Sequence, residues 1–427
     1  MTVSINKFQT FSFLMIGLLG ATPIFGFGQL SISAVVRPRT ELRHGFTTLP
    51  AANAPPSFFT SQRTRLVCDY KHEKADLFVS LQAVRIWGNQ AQAVQVANAG
   101  VQQAWAEVHF SKFFHARLGR QEWIYDDHRL FGNLDWVQAS RTHDALLLKF
   151  ENKDKNLKIH SGLAYNQAQE NMFGTTYWVN NYKVLGFVRA EKKFNKINGS
   201  LLHVSDGFEA PDSSGQTIYR QTSGGTVIYS DEKLQVRTFG YYQYGQDVNY
   251  LTRAAFFASA EVTYVIGKLN ISGGYDIVSG NDGTDSLGNR NRAFHTLYPT
   301  NHKFYGYMDY FLDLPLNTAQ GGLQDAYLKL KLPVKKKVQV SADAHYFQFA
   351  GKVLDPSDGG KVLSKQLGTE FDLTGDYEHS PGIRFTGGFS MMFGTDSMVA
   401  IKGGDKASTA YWSYLMCTIN PVIFSGK

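Results

Sequence analysis

The sequence predicts an all-β chain, an antiparallel transmembrane β-barrel of about 18 strands around a water-filled lumen. Three observations predict it. Segments of roughly ten to fifteen residues alternate apolar with polar side chains, the two-residue period of a strand with unlike faces. Short and long connections alternate along the chain, as turns and outer loops do in a membrane barrel and as a soluble sandwich has no reason to do. The 427 residues are 43% hydrophobic and 14% aromatic, yet beyond the N-terminus no apolar run reaches the ~18 residues of a membrane helix.

Residues 1–28 read as a secretory signal. Lys7 supplies the positive region, Phe11 to Leu19 the apolar core, and Gly26 and Gly28 the small residues of a cleavage site before Gln29. That core is too short to cross ~30 Å of hydrocarbon, and no cysteine follows it to carry a lipid. Residues 29–427 are then one outer-membrane barrel.

Along that barrel the faces separate cleanly. Ile32, Ala34, Val36 and Leu42 oppose Ser33, Arg37, Arg39, Glu41 and Arg43. Phe256, Ala258, Ala260, Val262, Tyr264 and Ile266 oppose Ser259, Glu261 and Thr263. Further on, Leu328, Leu330 and Leu332 oppose Asp325, Lys329 and Lys331, and Val338 to Tyr346 oppose Gln339 to His345. Leu367, Thr369, Phe371, Leu373 and Tyr377 oppose Gln366, Glu370, Asp372 and Asp376. Short turns fall near 72–74, 111–112, 152–155, 195–196, 230–233, 267–268, 333–337 and 379–382. Long loops fall near 44–60, 88–100, 124–141, 169–180, 207–217, 281–321, 350–364 and 396–407. The segment 302–313 would break this alternation as a strand, so it is assigned to the 281–321 loop. The last strand is expected to stop before Pro421. An arginine facing lipid costs ~2–4 kcal/mol at the midplane, so the charged rows line the lumen.

The stretch 118–150 carries Leu118-Gly119-Arg120-Gln121, Asp127, Arg129-Leu130, Gly132, Asp135-Trp136, Arg141 and Asp144. A second block runs Asn301-His302-Lys303-Phe304-Tyr305-Gly306-Tyr307-Met308-Asp309-Tyr310, then Gly322-Leu323 and Asp325. Together these resemble the alginate-export family of outer-membrane porins, although His143 stands where the family's pattern has an aromatic. The resemblance implies a channel in the outer membrane of a Gram-negative bacterium, in contact with lipid. Alginate secretion itself does not follow from these residues.

Arg37, Arg39, Arg43, Arg63, Arg65 and Arg117 fall on the expected lumen faces. Arginine presents a permanently charged, planar fork of donors that suits carboxylates and phosphates. The expected function is passive diffusion of small hydrophilic, anionic solutes, such as uronate oligosaccharides or organic acids, through a monomer. A mixed lumen is the competing reading, because Glu261, Asp276, Asp325, Asp343, Glu370, Asp372 and Asp376 line an acidic wall. Asp126, Asp127, Arg129, Asp135, Arg141 and Asp144 are expected to form an ion-pair network that fixes 124–141 inside the channel. Trp123 and Trp136 are candidates either for burial or for stacking on sugar rings. The alternative function is a surface binding or assembly protein that works through its outer loops, chiefly 281–321.

Other chemistry finds little purchase. The run Asn281-Asp282-Gly283-Thr284-Asp285 spaces oxygens as a calcium loop does, with Asp282 and Asp285 as ligands. It lacks the distant glutamate, and these are ordinary turn formers. The twelve histidines show no metal-ligand spacing. No G-x-S-x-G occurs, and His160 and Ser161 as strand neighbours face opposite ways, so neither enzymatic activity nor a cofactor is expected. The 43 Lys+Arg against 36 Asp+Glu are spread through turns and lumen, a pattern that does not indicate nucleic acid. Cys68 and Cys417 would lie on either side of the first strand, roughly 9–10 Å apart. A disulfide needs ~7 Å or less, so both are expected free.

Overall fold

Each short turn joins two strands whose apolar rows share a side, so the chain grows hairpin by hairpin. The computed structural model describes residues 28–426 apart from 95–98, 178–180, 212–214 and 286–287. The signal read at 1–28 therefore lies, Gly28 excepted, outside the described residues.

Eighteen strands close into one antiparallel barrel. The first nine are Gln29–His44, Ser57–Lys71, Ala75–Ile86, Ala99–His109, Phe114–Gln121, His143–Asn152, Leu157–Tyr165, Val184–Phe194 and Ile197–Glu209. Thr217–Ser230, Leu234–Gly245, Ala255–Ile266, Leu269–Val278, Leu323–Lys335, Val338–Gln348, Gln366–Ser380 and Ile383–Gly394 follow. The last, Ala410–Ile419, pairs with its predecessor and with the first strand, leaving no open edge. The segment 302–313 lies within the loop between the thirteenth and fourteenth strands, as the alternation requires.

Three details extend or correct the sequence reading. The last strand stops at Ile419, before Pro421 as expected, but pairing does not end there: Val422–Gly426 resumes it with the first strand after a register shift at Ile32/Ser33. A proline without an N–H is tolerated at such an irregularity. A ninth outer connection, 246–254, was overlooked; its Thr252–Arg253 pairs in parallel with Arg290–Asn291. Leu367 also turns inward and is fully buried, because the ladder slips between Phe347 and Gln348 opposite Gly368. One extra residue in a strand moves its side chain to the other face.

Elsewhere the two-residue period decides the facing. Val262, Tyr264, Leu328, Leu330, Phe371 and Leu373 lie exposed on the outer wall, while Arg37, Glu41, Asp276, Asp325 and Asp372 are buried inside. Phe110, Phe114, Phe150, Phe194 and Tyr264 ring the short-turn end, and Phe256, Tyr242, Tyr275, Tyr346 and Phe393 the loop end. Two such belts are what a bilayer interface selects. Cys68 and Cys417 are both free.

The lumen is not empty at the loop end. Segments 122–142 and 292–322 fold inward and pack their own apolar core against the wall. Trp123, Phe131, Phe294, Tyr305, Met308, Tyr310, Phe311 and Leu314 are each at most 2% exposed. Burial of a large apolar side chain contributes ~1.5–3 kcal/mol, enough across this set to hold irregular backbone in place. At the neck of the second loop, Gly280 meets Gly321 so closely that a Cβ would lie 1.9 Å from the Gly321 carbonyl carbon. Only glycine fits there.

Candidate functional site

The two inward segments bind each other through backbone. Gly132 N donates to Tyr298 O at 2.8 Å, Tyr298 N to Leu130 O at 2.9 Å and Thr300 N to His128 O at 2.9 Å. Around this short ladder Trp123, Phe131, His143, Phe187, Tyr182 and Tyr298 pack as an aromatic cluster.

Ion pairs then fasten the loop to three parts of the wall. Asp126 accepts from Arg189 at 2.7 Å and from Ser200 Oγ at 2.7 Å. Arg129 pairs with Asp127 at 3.0 Å and with Asp276, whose other oxygen accepts from Ser259 at 2.5 Å. Asp135 meets Arg37 Nη1 at 2.9 Å and Arg63 Nη1 at 2.6 Å, with Arg65 at 3.9 Å. The expected network within the loop is thus replaced by one between loop and wall, the Arg129–Asp127 pair excepted. Asp144 is no part of it. It lies on the exposed outer face of its strand and pairs at 3.0 Å with Arg120, which fixes that side for Arg120 too.

The six arginines divide into three groups. Arg37, Arg63 and Arg65 converge on Asp135, and the first two also clamp loop backbone: Arg37 donates to Asp135 O at 2.7 Å, and Arg63 to Val137 O at 2.8 Å and Gln138 O at 2.7 Å. Arg39 and Arg43 share Glu41, at 2.8 and 2.7 Å, a carboxylate also held by Trp412 Nε1. Arg117 pairs with Glu107 at 2.7 Å and covers Trp105. They are therefore not a row of six free guanidinia.

Two cavities flank the loop tip. One of about 490 Å³ lies toward the short-turn end, lined by Arg37, Arg63, Arg65, Asp135, Glu378 and Arg384. Here the Asp135 side chain is 51% exposed while those of Arg37 and Arg63 are 6% and 2% exposed. The other, about 260 Å³, lies toward the loops, lined by Trp136, Arg141, His295, His302, Asp309 and Asp313. Arg141 donates to Pro299 O at 2.7 Å and forms no ion pair among the described residues. Burial, with only Tyr298 and Tyr182 opposing it, pulls Arg141 down to about 10, so this guanidinium still stays charged at neutral pH. At Asp135, burial would raise the carboxyl, but Arg63 and Arg37 outweigh it and hold the group below its ordinary value. Burial beside Arg220, Arg253 and Arg141 drives His295 well below the usual histidine range, so it is neutral.

Neither tryptophan is free to stack on a sugar. Trp123 is buried, and Trp136 is sandwiched between His302, 4.2 Å between centroids, and Arg39 at 4.1 Å. The acidic wall is largely spent or covered. Asp276 holds Arg129, Asp325 holds His345 at 2.8 Å, and Glu370 accepts from Met308 N at 2.7 Å beneath the second inward segment. That segment is mostly buried, and within the 281–321 loop the exposed surface is concentrated at 283–285 and 288–290.

Asp282 accepts from the backbone N and the hydroxyl of Thr284 and lies 3.6 Å from Lys352, a closed turn rather than converging ligands. Spacing along the chain missed one grouping. The hairpin at 110–113 brings His109 and His115 together beside Glu107, their rings 4.6 Å apart. Lys149 at 2.8 Å and Arg117 already neutralise that carboxylate, and Lys71 holds the neighbouring Asp76 at 3.0 Å. Lys71 also pairs with Asp69 at 3.4 Å, so three cations balance three carboxylates and no net negative charge is left to attract a further cation.

The profile of the family described as "Alginate export" matches residues 29–393. Among solved structures, the chain is similar to OccAB1 of Acinetobacter baumannii, with 15% identity and a TM-score of 0.63 over 92% of this chain and 97% of that one. OprD of Pseudomonas aeruginosa matches with 11% identity and a TM-score of 0.62 over 92% and 94%. OpdO of the same organism matches with 11% identity and 0.61 over 92% and 98%. No curated protein matches.

Proposed function

Because this chain belongs to the alginate-export family and folds as a porin-like barrel of the Gram-negative outer membrane, we propose that it is a passive channel for small hydrophilic anions. Carboxylates such as uronate oligosaccharides or organic acids suit it, and a monomer suffices. One observation carries the reading: three arginines converge on the single carboxylate of Asp135 where the inward loop narrows the lumen. Around the inner cavity Arg37, Arg63, Arg65 and Arg384 outnumber Asp135 and Glu378, and in the outer one Arg141 stands beside Asp309 and Asp313. A solute carboxylate entering by the loops meets Arg141 first and then the Arg37–Arg63–Arg65 group. Such contacts are shared with water and with loop carbonyls, so they stay weak enough for release. Covering of the acidic wall by residues 304–314 favours this over a mixed-charge lumen.

The test is the reversal potential of single channels in a planar bilayer under a salt gradient. Anion preference is expected, and Arg141→Gln should lower it without closing the channel. Cation preference in the unaltered protein would refute the reading.

A further inference from the structure

Charge is distributed unevenly along the barrel axis. The short turns between strands carry nine lysines against four carboxylates, whereas the outer loops carry twelve Lys and Arg against fifteen Asp and Glu. Most of the formal net charge of +7 thus gathers at one end, the end that faces the periplasm in such barrels. All nine lysines are exposed. Lys112 and Lys196 reach Asp154 and Asp231 at 3.4 and 3.9 Å, but Lys153, Lys155, Lys268 and Lys336 form no ion pair among the described residues.

These lysines border the lipid-facing aromatic belt. Lys112 lies between Phe110 and Phe114, Lys153 follows Phe150, Lys196 follows Phe194 and Lys268 follows Tyr264. Aromatic rings of this kind settle at the membrane interface. At ~3.3 Å per residue, the ammonium groups then sit about one headgroup layer beyond it, and their flexible stems can reach back along the wall. Being spread over successive turns around the perimeter, they form no single pocket.

We propose that this rim is a binding surface for the anionic phosphodiester headgroups of inner-leaflet phospholipids, held as a ring of exchangeable lipids. Position favours lipid over a soluble polyanion, because the charges continue the lipid-facing wall. The test uses the full chain in phosphatidylcholine bilayers with trace spin-labelled phosphatidylglycerol or phosphatidylcholine, comparing the immobilised fractions. A near-surface lysine is worth about fivefold in attraction to an anionic surface at most, so a two- to fivefold preference for phosphatidylglycerol is expected, falling toward one in 1 M salt. The combined variant Lys153→Gln, Lys155→Gln, Lys268→Gln, Lys336→Gln should lose most of the preference, with unchanged conductance reporting an intact barrel. Equal association of the two lipids, or a preference that survives the substitutions, would overturn the proposal. So would a variant that alters only the reversal potential, which would assign the rim to the pore, or binding of soluble polyphosphate without any lipid preference.

Discussion

Replacing Asp135 by asparagine tests the constriction most directly. Its carboxylate lies 2.9 Å from Arg37 and 2.6 Å from Arg63, with Arg65 at 3.9 Å. Asparagine keeps the shape and removes one negative charge among three guanidinium groups. A unit charge about 4 Å from a passing ion is worth about 1 kcal/mol in water-like surroundings and about 4 kcal/mol at an effective dielectric of 20. Half of the Asp135 side chain is exposed to the inner cavity, so the lower figure applies, roughly fivefold for each ion in opposite directions and so a rise of up to about 25-fold in the anion-to-cation permeability ratio. The loop itself should stay seated, because Arg37, Arg39 and Arg63 still donate to the carbonyls of residues 135–138. The assay is the reversal potential across a tenfold salt gradient, with single-channel conductance recorded alongside. An unchanged or lower ratio at unchanged conductance would mean that permeant ions do not pass this group.

Three other expectations follow from the same geometry. Arg129→Met strands Asp276 in a buried setting, while Asp127 keeps Arg237 at 3.5 Å, and removing one member of such a buried pair costs about 3–5 kcal/mol. The variant should lose its folded electrophoretic mobility at a lower temperature and conduct more noisily, and wild-type behaviour in both would refute the anchoring role. Because arginines depress Asp135, its negative charge is complete above the ordinary carboxylate value near 3.9 and is lost only as pH falls through the lower folded value. The anion-to-cation ratio should hold steady from pH 8 to about 5 and rise below about pH 4, whereas a transition near pH 6 would implicate a histidine instead. Leu328, mid-strand and 49% exposed on the lipid face, should cost ~2–4 kcal/mol on substitution by arginine. Refolding into vesicles across a urea series measures this, and tolerance of the charge would contradict the assigned facing.

How much was legible divides by the range of the interaction. Alternation identified which of Val262, Leu328 and Phe371 meet lipid, since a bilayer requires a period of two at every crossing. Turn lengths placed the two ends. The block from Leu118 to Phe150 marked the loop that turns inward, and Asp126, Arg129 and Asp135 were recognised as its fasteners. Their partners were not recognised. Asp126 finds Arg189 across 63 positions and Arg129 finds Asp276 across 147, and nothing local encodes which wall a loop reaches.

By itself, then, the sequence determined the barrel, its strand count and its polarity, because the solvent on each face acts on each side chain independently. Only the tertiary structure decided that the arginines cluster rather than form a ladder, that Trp136 has both faces covered, and that the second loop screens the acidic wall. Those outcomes depend on which distant segments meet once the lumen is filled, and packing of that kind leaves no periodic trace in the chain.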